Sequence, residues 1–203
     1  TIIYTSSFPV HYQNEDSYYQ IVKHLITDFI NNLPYSQNQI LGIGIATQGI
    51  VSSDGSSIIY GKIMNNAGLT LDVFSQHLDY PCIFIHDAEA AASAELWFNH
   101  EITDAVYLGL NRNIGGAVII NRELHRSCFS QCGSIEHISI NPNGRLCHCG
   151  RKGCLEAYCS GASLEKDSGL PLELFFTRLR NQDTACLTIW NQYLQNLAIF
   201  IDN

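Results

Sequence analysis

Apolar residues at Tyr18, Ile21, Val22, Leu25, Ile26, Phe29 and Ile30 recur at intervals of three and four, which predicts an amphipathic helix over residues 16–32. The stretch before it, residues 1–8 (TIIYTSSF), is rich in β-branched and aromatic side chains and predicts a strand. A second strand is expected over 40–47 (ILGIGIAT), ending at Gln48-Gly49. Ile50-Val51 and residues 57–60, split by Ser53-Asp54-Gly55, read as a hairpin. A short helix is expected over 71–78, then a buried strand over 81–86 (PCIFIH) that runs directly into an Ala-rich helix over 88–98. Beyond Glu101 two apolar runs, 105–110 and 117–120, flank Asn111-Arg-Asn-Ile-Gly-Gly116 and predict another hairpin opening a second domain. Residues 133–156 are loop-rich, and helices follow near 155–159, 170–180 and 184–201. Strands alternating with helices imply an α/β fold with a central sheet. The lobes are expected over 1–102 and 103–203. Both ends read as cuts: the chain starts inside a strand and stops after an apolar helix that nothing closes over.

Composition narrows the classes of function. The 203 residues carry 46% hydrophobic and 15% charged side chains, an ordinary globular balance. No apolar run nears the roughly 20 residues that span a bilayer, so no membrane partner is expected. The first residues lack a basic segment followed by an apolar one, so no signal peptide is read there. With 11 Lys+Arg and a net charge of −8, no basic cluster is available to displace phosphate counterions, and DNA contact is expected only through a domain outside this chain.

Three of the eight cysteines fall within eight residues, in Cys147-His-Cys-Gly-Arg-Lys-Gly-Cys154. Such clustering without a signal peptide points to metal binding in a reducing compartment, the cytoplasm by default. Zinc takes four tetrahedral ligands, mostly thiolates and imidazoles. Cys147 and Cys149 share one tight turn, and Gly150 and Gly153 let the backbone return so that Cys154 reaches the same ion. Of the two nearest imidazoles, His148 sits between two ligands and would point away. His137 can return through Pro142-Asn-Gly144 and is the expected fourth ligand. A closed site with four protein ligands is structural. Cys82, Cys128, Cys132, Cys159 and Cys186 are read as small core residues.

The segment Cys147-x-Cys-Gly-x-x-Gly-Cys-Leu-Glu156, preceded by Gly133-x-x-x-His137, resembles the signature of the ROK family of repressors, open reading frames and kinases. The likeness extends through residues 41–50 (LGIGIATQGI) with Gly55, His86-Asp87-Ala-Glu-Ala-Ala, and residues 114–121 (IGGAVIIN), in the family's order. It implies an actin-like, ribonuclease-H-like fold of two α/β lobes with sugar between them. Family kinases phosphorylate hexoses with ATP and magnesium, whereas family repressors carry an N-terminal winged helix-turn-helix and sense a sugar or a partner protein. Neither that helix-turn-helix, nor the N-terminal phosphate loop Asp-x-Gly-Gly-Thr, nor the C-terminal glycine-rich nucleotide segment is present in these residues. Members commonly dimerise, so a homodimer is implied.

The resemblance also sets out the site and where it departs. In the kinases an Asn-Asp pair ends the strand and the Asp is general base toward the sugar hydroxyl; here the pair is His86-Asp87, and Asp87 is the catalytic candidate if the protein is a kinase. Asp87 also suits the N-cap of the following helix. The phosphate loop Gly-Thr-Gly-x-Gly-x-Gly corresponds to residues 109–117 (GLNRNIGGA): Gly109, Gly115 and Gly116 are retained, Leu110, Asn111 and Asn113 crowd the cradle, and Arg112 could attract phosphate. An ordinary hairpin turn is the alternative reading. In Gly-Glu-x-Gly-His, Ser134 replaces the sugar-binding Glu and Glu136 replaces the second Gly, while Glu156 matches the second sugar carboxylate. The implied sugar contacts are His86, Asp87, Ser134, His137 and Glu156, with Tyr60, Asn65 and Asn66 near the cleft. Three readings stand open: the sugar-sensing and dimerisation domain of a regulator, an ATP- and magnesium-dependent hexose or amino-sugar kinase, and a kinase-dead protein that acts through its interface.

Overall fold

The computed structural model describes residues 2–125 and 133–202, and these form two compact units, Thr1–Asp87 and Ala88–Asn203. Cys128 and Cys132 lie outside the described residues.

In the first unit, helix α1 (Asp16–Asn31) realises the three–four spacing and buries Tyr19 and Ile30. Strand β1 (Ile43–Thr47) pairs in parallel with β4 (Cys82–His86), register Ile45 to Phe84. Between them lie the antiparallel hairpin β2 (Ile50–Val51) and β3 (Ile58–Tyr60), and the one-turn helix α2 (Asp72–Ser75). The core is a chain of edge-on rings, Tyr19 to Phe74 at 5.1 Å and Phe74 to Phe84 at 5.7 Å, a favoured aromatic arrangement. Val51, Ile58, Leu69 and Leu78 fill in around them.

Two expectations fail in this unit. Residues 2–8 form no strand; they are irregular, with Ile2 82% exposed. β propensity describes how a side chain fits a pleated, half-buried surface, and no ladder partner for this segment occurs among the described residues. Strand β4 is only partly buried, because Ile83 on its outer face is 50% exposed.

The second unit starts from α3 (Asp87–Phe98), whose Ala92 packs on Ala117 and Ile119 of an antiparallel sheet. That sheet is β5 (Ala105–Leu110), β6 (Ile114–Ile120) and β7 (Glu123–Leu124) in that order. β6 starts three residues earlier than its apolar run suggested, because Gly115 and Gly116 are in the ladder opposite Gly109 and Leu108. β7 was not expected. It is made by Asn121 and Arg122, both with positive φ (53° and 66°), the signature of a type I′ turn. Arg122 then donates to the carbonyls of Leu96, His100 and Ile102, so one side chain ties the end of α3 to the sheet.

Four helices complete this unit: α4 (Glu156–Cys159), α5 (Gly161–Ser168), α6 (Leu172–Arg180) and α7 (Thr184–Asp202). α5, also unexpected, is capped by Ser160, whose hydroxyl accepts from the Ser163 amide at 3.0 Å. Leu155, Tyr158, Leu164, Phe175 and Tyr193 meet in one core with Cys159 and Cys186, which occupy the small-residue positions expected of them. Phe175 is fully buried at its centre. Phe175→Ala is expected to destabilise this unit by about 3–5 kcal/mol. Chemical denaturation followed by circular dichroism measures it, and a loss below about 1 kcal/mol would show that the cluster is not the unit's core.

Candidate functional site

The most constrained chemistry lies in the second unit. A 3₁₀ turn, Ile135–His137, presents His137, and a β-like loop returns from it to Cys154. The return is fixed by main-chain bonds: Ile140 N–H to Gly153 O at 2.8 Å, Gly153 N–H to Arg145 O at 2.8 Å and Leu155 N–H to Ile138 O at 2.9 Å. Gly153 sits at φ 78°, and a Cβ there would fall on the Asn141 carbonyl. Inside this loop the Gly150 amide donates to the Cys147 carbonyl at 2.9 Å, closing the turn that carries Cys147 and Cys149.

His137, Cys147, Cys149 and Cys154 thereby bring four ligand atoms within 4.8 Å of one another. Cys149 Sγ to Cys154 Sγ is 3.7 Å, and Cys147 Sγ to His137 Nδ1 is 3.7 Å. A zinc tetrahedron with Zn–S of about 2.3 Å and Zn–N of about 2.0–2.1 Å has edges of about 3.8 Å between sulfurs and about 3.6 Å from sulfur to nitrogen. These two separations match the edges of such a tetrahedron. His148, expected to point away, brings its Nδ1 to 3.9 Å from Cys147 Sγ but lies outside the four-residue group.

The electrostatics agree with a cation-binding role. Burial lowers the pKa of His137 to about 4, helped by His148 and Arg151, which keeps the ring a neutral ligand. Burial pushes Cys147 up to about 12 and also raises Cys154. Burial opposes ionisation of Cys149 too, but hydrogen bonds from the Arg151 backbone and side chain and from the two neighbouring thiols outweigh it and lower its pKa. Three thiols this close do not all ionise without a positive charge among them, and a divalent cation would supply it.

Next to this loop, Glu156 at the start of α4 is 4% exposed. It accepts from Asn113 Nδ2 at 2.8 Å and from the Ile114 amide at 2.7 Å. The candidate sugar carboxylate therefore braces the hairpin that corresponds to the family's phosphate loop. Arg112 pairs with Glu165 at 2.8 Å, and the carbonyls of Asn111 and Arg112 accept from the Gly161 and Ala162 amides. Gly109 is buried in β5, and Gly116 is where the 3₁₀ turn meets the sheet, since a Cβ there would strike Ile135. Ser134 immediately precedes that turn and is half-buried. Ser134, His137 and Glu156 are thus held by one framework. Glu165 was not picked out by sequence reasoning, and Asn113 was read only as crowding the cradle, not as a partner of Glu156.

In the first unit, His86 ends β4 and Asp87 is the first residue of α3. His86 Nε2 lies 3.3 Å from Asp87 Oδ1, and the two side chains are 25% and 45% exposed. Asp87 lines a cavity of about 230 Å³ together with Thr47, Gln48, Met64 and Asn66, and with aromatic walls. Asn66 is 1% exposed; its amide donates to Thr47 Oγ1 at 3.1 Å and to Gln48 O at 3.4 Å, while its Oδ1 has no hydrogen-bond partner among the described residues. Of the three residues expected near the cleft, Asn66 lines this cavity, Asn65 adopts a left-handed turn conformation (φ 52°) and Tyr60 is exposed. Thr47, Gln48 and Met64 were missed; the abrupt end of the β1 apolar run was their only signal.

Known proteins resemble this chain over nearly its whole length. The pattern of the ROK family matches residues 5–203. The xylose repressor of Bacillus subtilis is 30% identical over 196 residues, covering 90% of this chain and 49% of that protein. The N-acetylmannosamine kinase of Haemophilus influenzae is 28% identical over 177 residues, covering 82% of this chain and 57% of that protein. The chain thus spans about half the length of these relatives. A ROK family glucokinase from Streptomyces griseus, solved with glucose and AMPPNP, superposes with a TM-score of 0.74 at 21% identity, over 87% of this chain and 65% of that one. The fold is the actin-like α/β fold of those sugar kinases and regulators, and the chain belongs to the ROK family.

Proposed function

We propose that this chain is the sugar-sensing and dimerisation region of a ROK-type transcriptional regulator without kinase activity. The observation that carries this reading is the hairpin at residues 111–113. Where nucleotide-binding relatives are expected to present small residues with free amides, Asn113 is bonded to Glu156 and Arg112 to Glu165. The Asn113 side chain and its bond to Glu156 thus stand where a phosphate cradle needs small residues. His86 in place of Asn beside Asp87 favours the same reading.

The ligand is a sugar or sugar derivative. The residues expected to contact it are His86, Asp87, Ser134, His137 and Glu156. The buried Oδ1 of Asn66 is suited to accept a hydroxyl from it. His137, Cys147, Cys149 and Cys154 hold one structural zinc, whose charge stabilises the thiolates and fastens the loop. Thiolate ligation of this kind is a feature of the reducing cytoplasm. No helix among the described residues is long and apolar enough to cross a membrane. The regulator is a homodimer, and DNA is gripped by a domain outside this chain.

The alternative is an ATP- and magnesium-dependent hexose or amino-sugar kinase, in which Gly109, Gly115 and Gly116 serve the nucleotide and Asp87 is general base. It is favoured by the kinase relatives and by the exposed Asp87 carboxylate at a strand end.

Calorimetry on the full-length protein distinguishes the two: sugar binding is expected, and Mg-ATP binding is not. Sugar-dependent ATP turnover that Asp87→Asn abolishes would establish the kinase instead. Removing the zinc with a chelator, or by Cys149→Ser, is expected to cost several kcal/mol, because metal-binding energy in such sites is folding energy. The melting temperature should fall by about 10 °C or more; unchanged melting after verified metal removal would contradict the zinc assignment.

A further inference from the structure

We propose that Tyr12 is a specificity-determining residue of the cavity in the first unit, where its hydroxyl bonds a hydroxyl of the sugar. The proposal rests on the sugar reading above and deepens it, since Tyr12 is not among the contacts that the family resemblance supplies.

The cavity is lined by two unlike sets of residues. Tyr12, Tyr18, Phe74 and Phe84 contribute aromatic rings, and Thr47, Gln48, Asn66 and Asp87 contribute polar groups. No lysine, arginine or histidine is among the described residues that line it. This mixture suits an uncharged, polyhydroxylated ring, with its C–H faces against the aromatic rings and its hydroxyls toward the polar groups. A cavity of about 150 Å³ holds benzene. One of about 230 Å³ has room for a single sugar ring.

The ring of Tyr12 is fixed before a ligand arrives. It packs edge-on against Tyr18 at 5.1 Å, and Tyr18 packs edge-on against Tyr19 at 5.3 Å. Tyr19 in turn joins the Phe74–Phe84 pair of the core. A group already held in place loses less freedom when it binds. An irregular segment ahead of α1 can therefore carry a precise contact.

The Tyr12 hydroxyl has a bond to make. It is buried, yet it has no hydrogen-bond partner among the described residues. The neighbouring Tyr19 hydroxyl directs its proton to Asn14 Oδ1 at 2.8 Å and so has none to offer Tyr12. Thr47 differs: its Oγ1 accepts from Asn66 Nδ2 at 3.1 Å and donates to the Gln48 carbonyl at 3.3 Å. Buried tyrosine hydroxyls normally find a partner. One left open on a residue that lines a cavity marks a place for a ligand's polar group. A hydroxyl both donates and accepts, so it matches a sugar hydroxyl in either direction.

The test compares full-length wild type with Tyr12→Phe, which removes the oxygen and keeps the ring. Calorimetry with glucose, xylose and N-acetylmannosamine identifies a bound sugar, whose monodeoxy analogues are then titrated. Tyr12→Phe should weaken binding of the parent sugar about fivefold or more, because a sugar hydroxyl is left buried without its partner. For the deoxy analogue that lacks this hydroxyl, wild type and Tyr12→Phe should bind alike, which a packing role would not produce. The ligand-free melting temperature of Tyr12→Phe should equal or exceed that of wild type, since an unsatisfied buried group is lost. Affinity of Tyr12→Phe within about twofold of a sugar-binding wild type would overturn the proposal and leave the sugar reading intact. So would an equal loss across every deoxy analogue. A lower ligand-free melting temperature would also overturn it, by showing that the hydroxyl is already bonded within the fold. A wild type that binds none of these sugars would overturn both.

Discussion

The second unit is organised around a convergence of donors: an imidazole from the turn at 135–137 and three sulfurs from residues 147–154, all within 4.8 Å. Three thiols at this separation would not all ionise without a cation among them; burial raises Cys147 and Cys154, while hydrogen bonds from Arg151 and the neighbouring thiols lower Cys149. Other features depend on this convergence being held. The turn that carries His137 rests on Gly116 of the sheet, and Cys154 leads directly into Leu155 and Glu156 at the head of the helical core. Metal loop, sheet and helices thus share a few adjacent residues.

This arrangement gives Glu156 two aspects. Its place in the signature makes it a sugar contact by resemblance, yet both its oxygens accept from the hairpin at residues 113 and 114. A carboxylate oxygen has lone pairs for more than one donor, so the roles are compatible. A ligand that bonded Glu156 would share it with the hairpin.

Much of this was legible in the sequence, for identifiable reasons. Helix α1 and strands β1 and β4 follow from the apolar pattern, helix α3 from its run of strong helix formers, and the grouping of the three cysteines from their spacing and the glycines between them. The segment at 2–8 shows the limit of that logic: its side chains suit a strand, but a strand also needs a neighbour. β7 escaped notice because Asn121-Arg122 does not look like an Asn-Gly turn, and Arg122 adopts positive φ while its guanidinium is held by three carbonyls. α5 escaped because Gly161-Ala-Ser reads as loop, although Ser160 supplied a cap. The Asn113–Glu156 and Arg112–Glu165 contacts join residues more than forty positions apart, a distance no local pattern reports.

The most direct measurement of the central claim is X-ray absorption at the zinc edge on protein purified without added metal or chelator. The account predicts about one zinc per chain, surrounded by three sulfurs at about 2.3 Å and one nitrogen at about 2.0–2.1 Å. Protein that carries no metal, or a zinc shell of oxygens with the thiols unengaged, would contradict it.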